Sequence, residues 1–258
     1  MNDPTPVDPT ALLQGLAGTY LRNPRRDVGA CSACCGPTNP GYALCYQCAS
    51  HQRTANLPNA TGFSIYAAQG TQAGQLMHGY KAPFPQREHL VVMSLLLQSA
   101  LTNHIGCPSR LVGTPVTHWA TVPSTRGRFG AHPLHQMVTN LRHEPEAVLV
   151  HQSGVQPVRQ RVVAGLFRSP VALFEGSHVL LVDDTWVSGG RALSAVHCLR
   201  DAGASSVSVL SIARWLSFDF IRPPSSGSIS ELHRNLLAQV VFSPAICPYT
   251  GGYCPSQS

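Results

Sequence analysis

A chain of 258 residues, 43% apolar and 12% charged, is long enough to bury the core of one large or two modest domains. The opening MNDPTPVDPT has no basic stretch leading into an apolar one, and polar residues interrupt the apolar run Leu90 to Leu101. The reading is therefore cytoplasmic, with no signal peptide and no membrane insertion. The formal net charge of +6 suits anionic ligands, phosphates or nucleic acid, although arginine-for-lysine usage set by base composition accounts for it equally well; Lys81 is the sole lysine.

Residues 1–30 read as a leader helix, with Ala11, Leu12, Leu13, Leu16 and Ala17 forming a short apolar face. The stretch 31–52 follows, with the run CSACCGPTNPGYALCYQC. Cys31 and Cys34 make one pair, Cys45 and Cys48 another, and the turn between them is rich in glycine and proline. Two thiolate knuckles at that spacing predict a structural Zn2+ site, ahead of a pair of disulfides. Cys35, next to Cys34, leaves the ligand register open.

From residue 60 to about 220 the pattern is that of an α/β domain. FSIYAA reads as a strand, AGQLMHGYKAPF as a short helix or turn, and REHLVVMSLLLQSALTNHI as the longest helix. Further on, THWATVP is a strand ending in a loop, HPLHQMVTNL a helix, and AVLV at 147–150 a buried strand. HVLLVDD, GGRALSAVHCLRDAG and SVSVLSIAR then form a strand, a helix and a strand. Their length implies a crossover between parallel strands, which places ligands beyond the carboxyl ends. Residues 221–258 form a C-terminal helix and tail, with Ser228 and Glu231 offering a capping box for ELHRNLLAQV. Cys247 and Cys254 in CPYTGGYCP read first as free thiols, with metal binding or mutual pairing as alternatives.

The stretch VLLVDDTWVSGGRA, Val179 to Ala192, holds the chemistry. Gly189 and Gly190 allow a ligand close to the backbone, and the first amides of the following helix make an anion pocket of phosphate size. It has neither the Walker lysine nor the three-glycine dinucleotide pattern. Two carboxylates about one ribose away describe a site for a phosphorylated sugar, with Mg2+ offsetting further phosphates. A tight turn is the plainer reading of the same residues.

That segment resembles the phosphoribosyl diphosphate (PRPP) signature of type I phosphoribosyltransferases. With the cysteine knuckles in front of it, the chain resembles the ComF family, which pairs a four-cysteine module with a phosphoribosyltransferase domain and is associated with DNA uptake. HGYKAP, TVPSTRGRFGAHPLHQM and QPVRQRVVAGLFRSP are similar to further stretches of that family, so the likeness spans roughly residues 31–214. The resemblance implies a type I phosphoribosyltransferase fold, a parallel sheet flanked by helices. It implies that Asp183 and Asp184 hold the ribose hydroxyls, while Thr185, Trp186, Val187, Ser188, Gly189, Gly190 and Arg191 wrap the 5-phosphate. Val187 and Arg191 depart from the pattern by replacing threonines. Val122, Pro123, Ser124, Arg126 and Arg128 occupy the position of the pyrophosphate loop, and Lys81 reads as a surface lysine ahead of a leaving-group contact.

The implied function is PRPP binding with Mg2+ and transfer of phosphoribosyl to a nitrogen acceptor. The alternative is a non-enzymatic factor for DNA uptake or processing, with single-stranded DNA or a DNA-processing protein as partner. A nucleotide sensor using the same pocket is a third reading.

Overall fold

The computed structural model describes residues 8–27, 29–39, 41–55, 57–125, 132–217 and 242–256. Helix α1 (Pro9–Ala17) starts where Asp8 caps it, its carboxylate accepting the Thr10 N–H at 2.9 Å, and Leu13 and Ala17 face inward. Helix α2 (Tyr46–Ala55) turns Cys48 and His51 into the protein. Strand β1 (Ala60–Ala68) leads to α3 (Gln72–Gly79), whose cap is Thr71, and then to α4 (Arg87–Asn103) and the short α5 (Cys107–Val112). Next come β2 (His118–Thr121), α6 (Pro133–Thr139) and the two-residue strands β3 (Val150–His151) and β4 (Phe167–Arg168). Strand β5 (His178–Trp186), α7 (Gly190–Asp201) and β6 (Ser206–Leu216) complete the described order.

The main sheet has the order β1-β6-β5-β2 and is parallel throughout. All nine residues of β5 are buried, as expected of a central strand covered on both sides. One face packs against α1, α3, α4 and α6 through Leu180, Val182 and Leu210. The other packs against α7 and the cysteine-rich segment through Val179, Leu181 and Val209. The sequence thus yields an α/β fold with helices on both sides of a parallel sheet.

The in–out alternation shifts phase at one level in three strands. Phe63 and Ile65 lie in opposite cores although two residues apart, and so do Val209 and Ala213, and Val182 and Trp186, each four apart. Pairing lapses at the same row: the ladders run through Phe63, Ser211 and Asp183 and resume at Ile65, Ala213 and Thr185. Because all three strands step together, the register between them survives.

Several expectations need correction. Of the leader 1–30, helix occupies Pro9–Ala17. AVLV is not a strand of the main sheet. Only Val150 is in a strand, the antiparallel pair β3-β4, while Glu146 makes a single bridge to Trp119. Helices α2 and α5 were not anticipated, and β1 begins at Ala60 rather than at Phe63. The C-terminal helix and its capping box lie outside the described residues. Among the described residues, no helix is long and apolar enough to cross a membrane.

Candidate functional site

The acids lie within β5, not at its end. Strand β2 stops at Thr121, opposite Val182, and Val122 donates its N–H to the Val182 carbonyl at 3.1 Å. Among the described residues no strand pairs with β5 on that side beyond Val182, and there Asp183 and Asp184 stand. Both carboxylates are buried.

The two acids have different surroundings. Asp184 Oδ2 accepts the Tyr80 hydroxyl at 2.8 Å and Lys81 Nζ at 3.0 Å, with His132 Nε2 at 3.8 Å. Burial works to raise its pKa, but the Lys81 charge and the two hydrogen bonds outweigh it and hold the carboxyl below its ordinary value. Lys81 is therefore not a plain surface lysine. Asp183 Oδ1 accepts the N–H of Asp184 at 2.9 Å. Burial first, and the adjacent Asp184 charge second, push Asp183 up to about 7 against the pull of Arg191 and Lys81. One carboxylate is held charged, and its neighbour is poised to exchange a proton near neutrality.

Thr185 and Trp186 continue the strand, paired with Ala213 and Arg214. The Trp186 ring is buried, edge-on to Phe63 at 5.7 Å and packed beneath the loop against Gly189. Val187 is exposed, and the loop proper is Val187 to Gly189. Gly189 has φ +84°, a left-handed conformation in which a Cβ would also strike the Trp186 ring, so glycine is required there. It is the N-cap of α7, without a side-chain cap, so the first amides of the helix face the loop unfilled by a side chain. Arg191 sits in the first turn of α7. Among the pyrophosphate-loop candidates, Val122 bonds to Val182, the residue before the acids, and Pro123 and Ser124 follow it in the chain, whereas Arg126 and Arg128 lie outside the described residues.

The Sγ atoms of Cys31, Cys34, Cys45 and Cys48 lie within 4.8 Å of one another, with Cys34 and Cys45 3.7 Å apart. The Cys45 N–H points at Cys31 Sγ at 3.3 Å and the Cys48 N–H at Cys45 Sγ at 3.5 Å, an arrangement that steadies thiolates. All four are free thiols, and the set fits a tetrahedral zinc ion. Cys35 is excluded from it. Its backbone is left-handed, its carbonyl accepts the Tyr66 hydroxyl at 2.8 Å, and burial pushes its thiol up to about 12.

Arg214, which the sequence reading passed over, joins this cluster to the loop. Buried near the end of β6, its Nε donates to the Cys34 carbonyl at 2.7 Å and its NH1 to the carbonyls of Val187 at 3.0 Å and Trp186 at 3.3 Å. NH2 lies 3.5 Å from Cys34 Sγ, against the bare backbone of Gly36, where any Cβ would clash. His51 of α2 adds a second tie, its Nε2 donating to the Ser188 carbonyl at 3.0 Å. No motif in the sequence marks Tyr80, His132, His51 or Arg214; only Tyr80 stands beside a residue with a signal of its own, Lys81.

No protein-family model matches this sequence, and no curated protein does. Among solved structures, a purine phosphoribosyltransferase from Pyrococcus horikoshii Ot3 is similar to 53% of this chain and 94% of its own, with 13% identity and a TM-score of 0.31.

Proposed function

We propose that this chain is a zinc-bearing protein of the type I phosphoribosyltransferase kind that binds PRPP with Mg2+ at Asp183 and Asp184 and passes the phosphoribosyl group to a nitrogen acceptor. The observation that carries the reading is the placement of two buried acids, on the central strand of a parallel sheet, directly upstream of a glycine loop and a helix N-terminus without a side-chain cap. Asp183 is the acid left to accept ribose hydroxyls, Asp184 being engaged by Tyr80 and Lys81. The amides at Gly189 to Arg191 suit the 5-phosphate. Mg2+, which takes one or two carboxylates together with phosphate oxygens, finds that donor set in Asp183 and the diphosphate, and would offset the leaving group's charge.

In the transfer, the bond from the anomeric carbon to the diphosphate oxygen breaks and its electron pair leaves with pyrophosphate. The nitrogen lone pair forms the new bond, and the nitrogen loses a proton. Lys81, three ångströms from Asp184, stands ready to exchange that partner for a diphosphate oxygen. Zinc at the four cysteines would play no part in the transfer, but would hold Cys34 and, through Arg214, the loop.

Calorimetric titration of the full chain with PRPP and Mg2+ tests this. Binding is expected for the wild type and not for Asp183→Asn combined with Asp184→Asn. A wild type without binding heat, or a double variant that binds equally well, overturns the reading. Pyrophosphate release in the presence of candidate amines tests the transfer.

A further inference from the structure

Three of the cysteines outside the knuckles converge on a histidine at the opposite face of the sheet. His104 closes α4, and Cys107 opens α5 one tight turn later, its N–H donating to the His104 carbonyl at 3.0 Å. Facing them, the C-terminal segment folds back on itself. Cys247 donates its N–H to the Gly252 carbonyl at 2.8 Å and accepts the Gly251 N–H at 2.9 Å, so that Cys254 returns to Cys247. One imidazole nitrogen of His104 and the three sulfurs all lie within 4.8 Å of one another.

We propose that His104, Cys107, Cys247 and Cys254 bind a second structural zinc ion, which fastens the C-terminal segment to the α4–α5 corner. The imidazole is already oriented as a ligand. Nε2 is 3.1 Å from the Pro244 carbonyl, which can only accept, so Nε2 carries the proton; Nδ1 then turns its lone pair to the sulfurs, 3.2 Å from Cys254 Sγ. A ligating histidine held by a backbone carbonyl through its other nitrogen is the usual support of a zinc site. Three thiolates and one imidazole at tetrahedral spacing are a zinc donor set, and soft sulfur disfavours magnesium or calcium. A disulfide would use two of the sulfurs and leave Cys107 and His104 unexplained, and all three thiols are free. His104, Cys107 and Cys247 are buried, while Cys254 is exposed, which leaves an entry path for the ion.

The segment so fastened covers an edge of the sheet. Pro248 accepts the N–H of Phe63 in the edge strand β1 at 3.0 Å, and Ser243 exchanges two hydrogen bonds with Asn23, at 2.8 and 3.1 Å. An edge strand left open is a template for aggregation. The second zinc would hold its cover in place.

Metal analysis of the full-length chain purified under reducing conditions tests the proposal. Two zinc ions per chain are expected, one lost in Cys254→Ser and the other in Cys31→Ser. X-ray absorption at the zinc edge of the wild type needs no variant and is expected to show imidazole scattering beside sulfur. One zinc per chain that Cys254→Ser retains, a shell of sulfur alone, or a Cys247–Cys254 disulfide in the reduced preparation would each overturn it.

Discussion

Asp183 and Asp184 are adjacent in sequence but opposite in electrostatic role, and that contrast can be measured. Folded, Asp183 holds its proton up to about 7, whereas its ordinary value is 3.8. Between those pH values the folded state binds more protons than the unfolded one, so this group's contribution to stability falls as pH rises, by no more than about 4 kcal/mol. Asp183→Asn removes the dependence while keeping an oxygen for the Asp184 N–H. The variant is expected to melt above the wild type at pH 8, with the gap closing toward pH 4; parallel curves would contradict the assignment. Asp184 behaves in the reverse sense, its lowered pKa stabilising the fold above its ordinary titration range and failing in acid. Lys81→Met leaves that carboxylate short of a partner and is expected to cost about 1–3 kcal/mol. In an Asp184→Asn background most of the loss should vanish, and chemical denaturation of the four proteins of that double-mutant cycle checks it. A coupling near zero would mean that Lys81 acts elsewhere.

At the scale of elements, the loop between β5 and α7 is held from behind by parts of the chain remote from it. Arg214 of β6 and His51 of α2 grip three successive carbonyls, Trp186, Val187 and Ser188, and Arg214 also grips Cys34. Arg214→Met would strand the buried Cys34 and Trp186 carbonyls, at a cost of about 2–4 kcal/mol. It is expected to weaken PRPP binding about tenfold, equivalent to about 1.4 kcal/mol, while the four-cysteine zinc stays bound. Calorimetry and metal analysis of the same sample check both halves. Unchanged PRPP affinity would show the pillar to be structural only.

The strand–helix–strand from His178 to Leu216 was legible because an apolar run, a helical i, i+3, i+4, i+7 pattern and a glycine stop sit side by side in the sequence. The phase shift at Ser64, Ile212 and Asp184 was not, because it belongs to a row of three paired strands and leaves no mark in any one of them. AVLV misled for a related reason. Four apolar residues signal burial, and Ala147 and Leu149 are buried, but burial beside a sheet needs no pairing within it.

Over the whole molecule, the two sulfur clusters lie on opposite faces of one sheet, Cys31 and Cys34 with one core, Cys107 and Cys247 with the other. The four cysteines span 18 residues and were recognisable by spacing alone. The second cluster draws on residues 150 apart, His104 and Cys254, and only folding brings its His-x2-Cys half to the Cys-x6-Cys half. The acids were legible as a pair on a buried strand, but not as a charged partner of Lys81 and a proton-holding neighbour, since Tyr80 and Lys81 come from more than a hundred positions upstream. Lys81 is the only ε-amine in the sequence, and it rests on the candidate site itself. Amine-directed labelling therefore has one side-chain target in the molecule, and its rate becomes a direct gauge of how tightly Asp184 holds that amine.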